Sequence, residues 1–387
     1  MKNIGLDSLP ILANFSQGTG ISKYITRLAK GFLSLDREST YIFYARRAVK
    51  KFRRELLAMA GFRHPHLVVR PLWVPDRLLN LLSALPQSSL AEALFFRDID
   101  IFISTCYFTP WLKKAKVISF IYDLSPLVVS TFPSDYRKKF TKLIEATIAR
   151  SSLLLTISEN SKRDLIDHFR LNPGQIEVIY PAAEDDFRPL GAEEAGPVLR
   201  RCGIDSEYIL YVGIRGKHKN VTTLVRVFAA LKKEFKIPHK LVLCGRRDTS
   251  SDETEKEIQE IIRSSRLEKE IITPGYVDDR DLPALYSGAS VFVFLSLYEG
   301  FGVPPLEAMA CGTPVVVSAA SSLPEVVGQA GMTVNPKDEA QILSAIVKVL
   351  RSQEVRQAMK EQSLVQSKKF SLEKSAEKFL HLVKGLP

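Results

Sequence analysis

Short apolar runs alternate with amphipathic stretches along nearly the whole chain. In the first half the runs are TYIFYA (40–45), HLVVR (66–70), IDIFIS (99–104), KVISFIYD (116–123) and LLLTIS (153–158). In the second half they are YILYVG (208–213), KLVLCG (240–245), EIITPGY (270–276), SVFVFLS (290–296) and TPVVVS (313–318). Runs of this kind predict strands buried on both faces. Helical patterns fill the intervals at 20–33, 134–150, 159–170, 220–236, 252–266, 281–287, 304–310 and 338–352. Strand and helix in alternation predict parallel sheets with helices on both faces. The pattern runs twice, so the expected class is α/β with two doubly wound, Rossmann-like domains. The first covers 1–180 and the second 207–370, joined through 181–206, a stretch rich in Pro, Gly, Ala and acids.

Length agrees with two domains: 387 residues is too long for one of ordinary size. No uninterrupted apolar window reaches spanning length, and MKNIGLDSLP lacks the apolar core and cleavage site of a signal peptide. The expected location is the cytoplasm. Cys106, Cys202, Cys244 and Cys311 stand apart from one another, and the six histidines show no metal-ligand spacing, so reduced thiols and no metal are expected. Charge adds more. The net charge is +11, and residues 1–180 hold all of it, with 26 basic against 15 acidic residues. RRAVKKFRRE (46–55), KKAK (113–116) and RKKF (137–140) supply much of the excess. Each run alone reads as a solvated face. Together they suit a phosphate-bearing substrate or an anionic membrane surface. No aromatics interleave with them on a recognisable module, which argues against nucleic acid.

In open parallel sheets ligands bind beyond the carboxyl ends of the strands. In the second half those ends carry Arg215, Lys217, His218 and Lys219, then Arg246 and Arg247, then Gly275, Tyr276 and Val277, then LYEGFGVPPLE. The last of these places Glu299 and Glu307 on either side of a glycine turn, with seven residues between them. Gly300 and Gly302 permit a close backbone approach. Pro304 and Pro305 suit the start of a helix that LEAMA continues and Gly312 ends. The amides from Phe301 to Leu306 would then face an anion, with Lys219 adding a point charge. Glu307, read in the first turn of that helix, should meet neutral donors such as ribose hydroxyls. Glu299 should meet hydroxyls or a cation. A molecule with hydroxyls at both ends and phosphates between them is a sugar nucleotide.

YEGFGVPPLEAMACGTPVVVS (298–318) resembles the Glu-x7-Glu signature of glycosyltransferase family 4, a GT-B family of retaining, metal-independent sugar transferases. YILYVGIRGKHKNVTTLVRVF resembles its phosphate loop, and IITPGYVDDRDLPALYSGASVFVFLS the segment before the signature. The resemblance implies a GT-B architecture, two Rossmann-like domains facing a cleft, the first binding acceptor and the second donor. It also implies a C-terminal helix (371–387) returning toward the first domain. Glu307 would bind ribose, and Glu299 the donor sugar and reacting centre. Amides of Phe301, Gly302 and Val303, beside Gly300 and Leu306, would hold sugar and diphosphate. Lys219 would neutralise the leaving group beside Gly213, and Tyr276 and Val277 would line the base pocket. Many relatives place Arg directly after the loop glycine; here Ile214 stands there, and Arg215 is the expected substitute.

FSQGTGISKYITRLAKGF (15–32) resembles the family's N-terminal glycine loop, in which Gly18 and Gly20 would approach the donor. In FIYDLSPLVV (120–129), Tyr122 stands where many relatives have histidine, and Asp123 is kept as a cleft residue. Ser158 and Ser161 read as helix caps. Asp98-Ile99-Asp100 precedes its strand instead of following it, so it reads as a strand entry and not as a metal motif. RLLNLLSALPQSSLAEALFF (77–96) reads as a core helix pair or as an acceptor- or membrane-side element. The expected activity is hexosyl transfer without a metal or cofactor, with a nucleotide-diphosphate sugar as donor, GDP-mannose the first choice. The acceptor would be a glycan or polyprenyl-linked oligosaccharide of bacterial surface polysaccharide. The alternatives are a UDP-sugar donor, a sugar phosphorylase and a non-catalytic sugar-nucleotide sensor.

Overall fold

A computed structural model of the chain describes residues 2–11, 20–46, 62, 64–72, 92–130, 132–246 and 252–386. Contacts divide the chain into two units. One comprises Met1–Leu127, Phe132–Pro181 and Ser371–Pro387; the other comprises Val128–Thr131 and Ala182–Phe370. Gly18 and Arg247, most of the basic run at 46–55 and residues 77–91 of the apolar segment lie outside the described residues.

The first unit is built on a seven-stranded sheet. Its strands are β1 (Asn3–Asp7), β2 (Thr40–Arg46), β3 (Leu67–Leu72), β4 (Ile101–Ser104), β5 (Lys116–Phe120), β6 (Leu153–Thr156) and β7 (Ile176–Val178). They are ordered β3-β2-β1-β4-β5-β6-β7, and every pairing is parallel. The longer helices before the second unit are α1 (Gly20–Leu35), α2 (Ser134–Arg150) and α3 (Glu159–Phe169) among the described residues. β4, β5 and β6 are buried almost throughout, as uninterrupted apolar runs in a two-sided sheet should be. The edge strand β3 is only partly covered. Periodicity misses β1 at the centre of the sheet, because NIGLD has only two aliphatic side chains. Gly5 makes up for this by absence: a Cβ there would stand 2.8 Å from Tyr44 Cε2. Asp100 accepts the Asn3 amide at 2.7 Å and Asp98 pairs with Arg70 at 3.4 Å, so the Asp-x-Asp serves the strand entry. Ser158 caps α3 by accepting the Ser161 amide at 3.0 Å; Ser161 is the capped residue and not a second cap.

The second unit has six parallel strands: β8 (Tyr208–Val212), β9 (Lys240–Cys244), β10 (Ile271–Gly275), β11 (Val291–Phe294), β12 (Val315–Ser318) and β13 (Met332–Val334). Their order is β10-β9-β8-β11-β12-β13, so the winding reverses between β8 and β11. Its helices are α4 (Ala192–Arg201), α5 (Val221–Ala230), α6 (Asp252–Ser264), α7 (Leu282–Gly288), α8 (Val303–Ala310), α9 (Leu323–Val327), α10 (Glu339–Arg351) and α11 (Gln353–Ser367). The stretch read as a connector thus carries a helix, α4, which packs against α7. Among the described residues no helix is long and apolar enough to cross a membrane.

The last helix, α12 (Leu372–Gly385), belongs to the first unit and packs along α1. Phe379 stacks on Phe32 with centroids 4.9 Å apart, and Phe32 on Tyr41 at 5.2 Å. Beneath this stack lies Asp36, whose side chain is fully buried. It accepts from the Tyr41 hydroxyl at 2.9 Å and the Glu38 amide at 3.1 Å, and it pairs with Lys384 at 3.3 Å. Burial opposes ionisation of this carboxyl. The hydrogen bonds from Ser39, Glu38 and Tyr41 and the Lys384 contact outweigh it and hold the pKa at about 2. A depressed carboxyl pKa stabilises the fold above the unfolded value, near 4, and that contribution is lost as pH falls toward 2. Asp36→Asn is therefore expected to cost about 2 kcal/mol at neutral pH. It should also flatten the acid limb of stability between about pH 4 and pH 2. Urea titrations of both proteins across that range provide the check; parallel pH curves would contradict the assignment.

Candidate functional site

The reversal between β8 and β11 sends the chain to opposite faces after the two strands and opens a crevice at their carboxyl ends. The loop after β8 forms one wall. It runs through Gly213 into a short turn, Lys217–Lys219, and then into α5. Asn220 at the junction takes a left-handed conformation with φ 57°, donates to Pro336 O at 2.9 Å and accepts from the Thr223 hydroxyl at 2.7 Å. The loop after β11 forms the other wall, and the Leu297 amide donates to His218 O at 2.8 Å, joining the two. Across this seam Lys219 Nζ lies 2.6 Å from Glu299 Oε1, both side chains mostly buried. The ammonium also stands 5.8 Å from the centre of the Phe294 ring.

Glu299 is held by its backbone. Its amide donates to Ser321 Oγ at 2.9 Å. Ser322 Oγ lies 2.9 Å from Glu299 O and 2.6 Å from Phe301 O, so a single buried hydroxyl clamps both ends of the glycine turn. Gly302 closes the turn at φ 107°, and a Cβ there would stand 2.6 Å from Leu323 Cδ2. Both steric room and backbone angle thus require glycine. Gly300 precedes it in the turn, and Val303 opens α8 with Pro304 and Pro305 behind it. The two prolines carry no N–H, and the Leu306 amide donates to Gly302 O at 3.4 Å. The run of amide donors read from Phe301 to Leu306 therefore loses Pro304, Pro305 and Leu306.

Glu307 is the fifth residue of α8, in its second turn and not its first. A favourable helix-end charge interaction is correspondingly weak there. Its carboxylate instead accepts from the Tyr286 hydroxyl, Oε2 to Oη 2.9 Å. Tyr286 is fully buried on α7; burial first, and then the Glu307 charge, push its pKa well above the usual phenol value. Tyr276 exposes 59% of its surface with the Arg246 guanidinium 4.8 Å from its ring centre, and Val277 is buried next to it in sequence. An exposed aromatic ring backed by a cation offers a stacking platform for a planar base.

Arg215 pairs with Glu255, whereas Lys219 pairs with Glu299. Arg215 is 4% exposed, and its Nε lies 3.1 Å from Glu255 Oε2 on α6 without hydrogen-bond alignment. It ties the loop after β8 to a neighbouring helix. In the first unit Gly20 is the exposed opening residue of α1, with open space where a Cβ would be. Tyr122 is buried, donates to Thr105 O at 2.6 Å and stacks on Phe120 at 5.8 Å, so it serves that unit's core. Asp123 accepts the Ser125 amide at 2.8 Å. Sequence reasoning passed over Glu255, Tyr286, Ser321 and Ser322. Only Tyr286 left a trace, as an apolar position of a predicted helix.

Residues 203–365 match the family described as glycosyl transferases group 1, and residues 18–187 match glycosyltransferase family 4. The chain is 33% identical over 263 residues to O-antigen chain mannosyltransferase B of Escherichia coli, covering 67% of this chain and 68% of that one. It is 29% identical over 271 residues to the serotype-specific mannosyltransferase WbdA of Escherichia coli, covering 68% of this chain and only 32% of that longer protein. Among solved structures, HepE from Anabaena in complex with UDP and glucose superposes with a TM-score of 0.74 at 17% identity over all of both chains.

The ends of β8 and β9 approach so closely that a Cβ on Gly245 would sit 2.2 Å from Gly213 O, with Gly245 at φ 127°. Gly245→Ala should therefore destabilise the second unit by at least about 2 kcal/mol and displace the loop that carries Lys219. Urea denaturation is the check, and a cost under about 0.5 kcal/mol would show that this approach is not required.

Proposed function

The chain belongs to the glycosyltransferases of group 1 and family 4, and we propose that it transfers a mannosyl residue from GDP-mannose to a hydroxyl of a bacterial O-antigen or related surface glycan. The mannosyl and O-antigen parts of this reading rest on the names of its relatives. The donor part rests on one observation: Lys219 and Glu299 meet at 2.6 Å at the switch point of the second sheet, beside the amides that open α8.

In this reading the diphosphate lies against Lys219 and the amides of Phe301, Gly302 and Val303. An ammonium has three N–H donors, so Lys219 can keep one on Glu299 and give others to phosphate oxygens. It is then held where charge develops as the C1–O bond to phosphate breaks. The sugar gains positive character at C1, which the Glu299 carboxylate stabilises. The acceptor oxygen forms its bond to C1 on the face that the phosphate leaves, and its proton passes to a phosphate oxygen. Configuration is retained, and Lys219 takes the part a metal ion plays elsewhere. Arg215, paired with Glu255, contributes by holding the loop. Glu307 takes the ribose hydroxyls, and Tyr276 the base.

Isothermal calorimetry with GDP, UDP and ADP is expected to show GDP tightest, with Glu307→Ala weakening it by about tenfold or more. Tight binding of UDP in place of GDP would move the donor to a UDP-sugar, the nucleotide named with HepE. Binding of inorganic phosphate alone would overturn the reading. With GDP-mannose and a mannoside acceptor, proton NMR of the first product should show the α configuration of the donor, at a rate unchanged by EDTA. An inverted product or abolished turnover would refute retention or metal independence, respectively.

A further inference from the structure

We infer that Tyr286 is a positioning residue for nucleotide recognition: its hydroxyl holds one oxygen of Glu307 and turns the carboxylate toward the ribose before any nucleotide arrives. The inference rests on the reading of Glu307 as the ribose-binding group.

A buried phenol must place its O–H on an acceptor, and this protein ordinarily uses a backbone carbonyl. Tyr208 donates to Leu285 O at 2.7 Å, Tyr211 to Ile214 O at 2.9 Å, Tyr122 to Thr105 O at 2.6 Å and Tyr24 to Ile179 O at 2.8 Å. Tyr41 and Tyr286 instead donate to carboxylates; Asp36, the partner of Tyr41, is fully buried, whereas Glu307, the partner of Tyr286, is left partly exposed. Tyr286 itself is fixed on several sides. Its ring centre lies 6.0 Å from that of Phe187 and 5.4 Å from that of Phe292. Its own carbonyl accepts from the Thr313 hydroxyl at 2.7 Å, which ties α7 to the chain just beyond α8. Glu307 by contrast is a long side chain with three rotatable bonds. The phenol's hydrogen bond meets part of the cost of ordering that carboxylate on folding instead of on binding. The Tyr286 bond itself occupies only one acceptor position, on Oε2 of the carboxylate.

The test compares nucleotides that differ by one ribose hydroxyl. Calorimetry with GDP and 2′-deoxy-GDP is run on wild type and Tyr286→Phe, and with UDP and 2′-deoxy-UDP if uridine proves the tighter base. Wild type is expected to prefer the ribonucleotide by about tenfold. Tyr286→Phe should weaken the ribonucleotide by a similar factor and the deoxynucleotide, which keeps its 3′-hydroxyl, by clearly less, and so narrow the preference. Equal weakening of both nucleotides, or no weakening of either, would overturn the positioning role. Absence of any ribose preference in wild type would instead show that Glu307 does not read the ribose, and both readings would fall. If Tyr286→Phe melts below the assay temperature, 3-fluorotyrosine at 286 carries the test. It keeps the hydroxyl, so the preference should persist; its loss there would also overturn the proposal.

Discussion

The contact of Lys219 with Glu299 depends on a single topological fact, the reversal of strand order between β8 and β11. The two residues are eighty positions apart in sequence. Adjacent parallel strands whose connections leave to opposite faces open a crevice at their carboxyl ends, and the two loops must line it. The bond from the Leu297 amide to His218 O then fixes how far apart the walls stand. Everything else in the site is hung from those walls. Ser321 and Ser322 hold the glycine turn from one side, and Glu255 holds the opposite loop through Arg215. A sheet wound in one direction only would carry the same residues and bring no such pair together.

Much of this was legible in the sequence. Apolar runs without alternation located ten of the thirteen strands among the described residues, because strands buried on both faces need no polar positions. The three passed over have mixed composition: NIGLD, IEV and MTV are short and set polar residues among the apolar ones. Their strand character comes from hydrogen bonding to neighbours already in place, a tertiary effect. The glycine turn, the helix after it and the convergence of cations and carboxylates could be read because each rests on local backbone chemistry. Orientation could not. That Arg215 turns to Glu255, and Glu307 to Tyr286, depends on partners 40 and 21 positions away, on helices whose periodicity reports burial but not hydrogen bonding. Tyr122 shows the same limit. It stands where many relatives have histidine, which left its role open, and its hydroxyl is taken by Thr105 O within the core.

The route of the last helix has a consequence for how the molecule is made. The first unit is not continuous in sequence: it needs Ser371–Pro387 to cover α1 and to bring Lys384 to Asp36. The second unit is encoded almost entirely between those two pieces. As the chain leaves the ribosome, the second unit has all of its own strands before the first has its final helix. The Phe32 and Tyr41 stack therefore lacks Phe379 until the second unit has been synthesised. The half that is translated first is the half that is finished last, and it passes the interval with an apolar helix face that chaperones can recognise and a truncated chain would never cover.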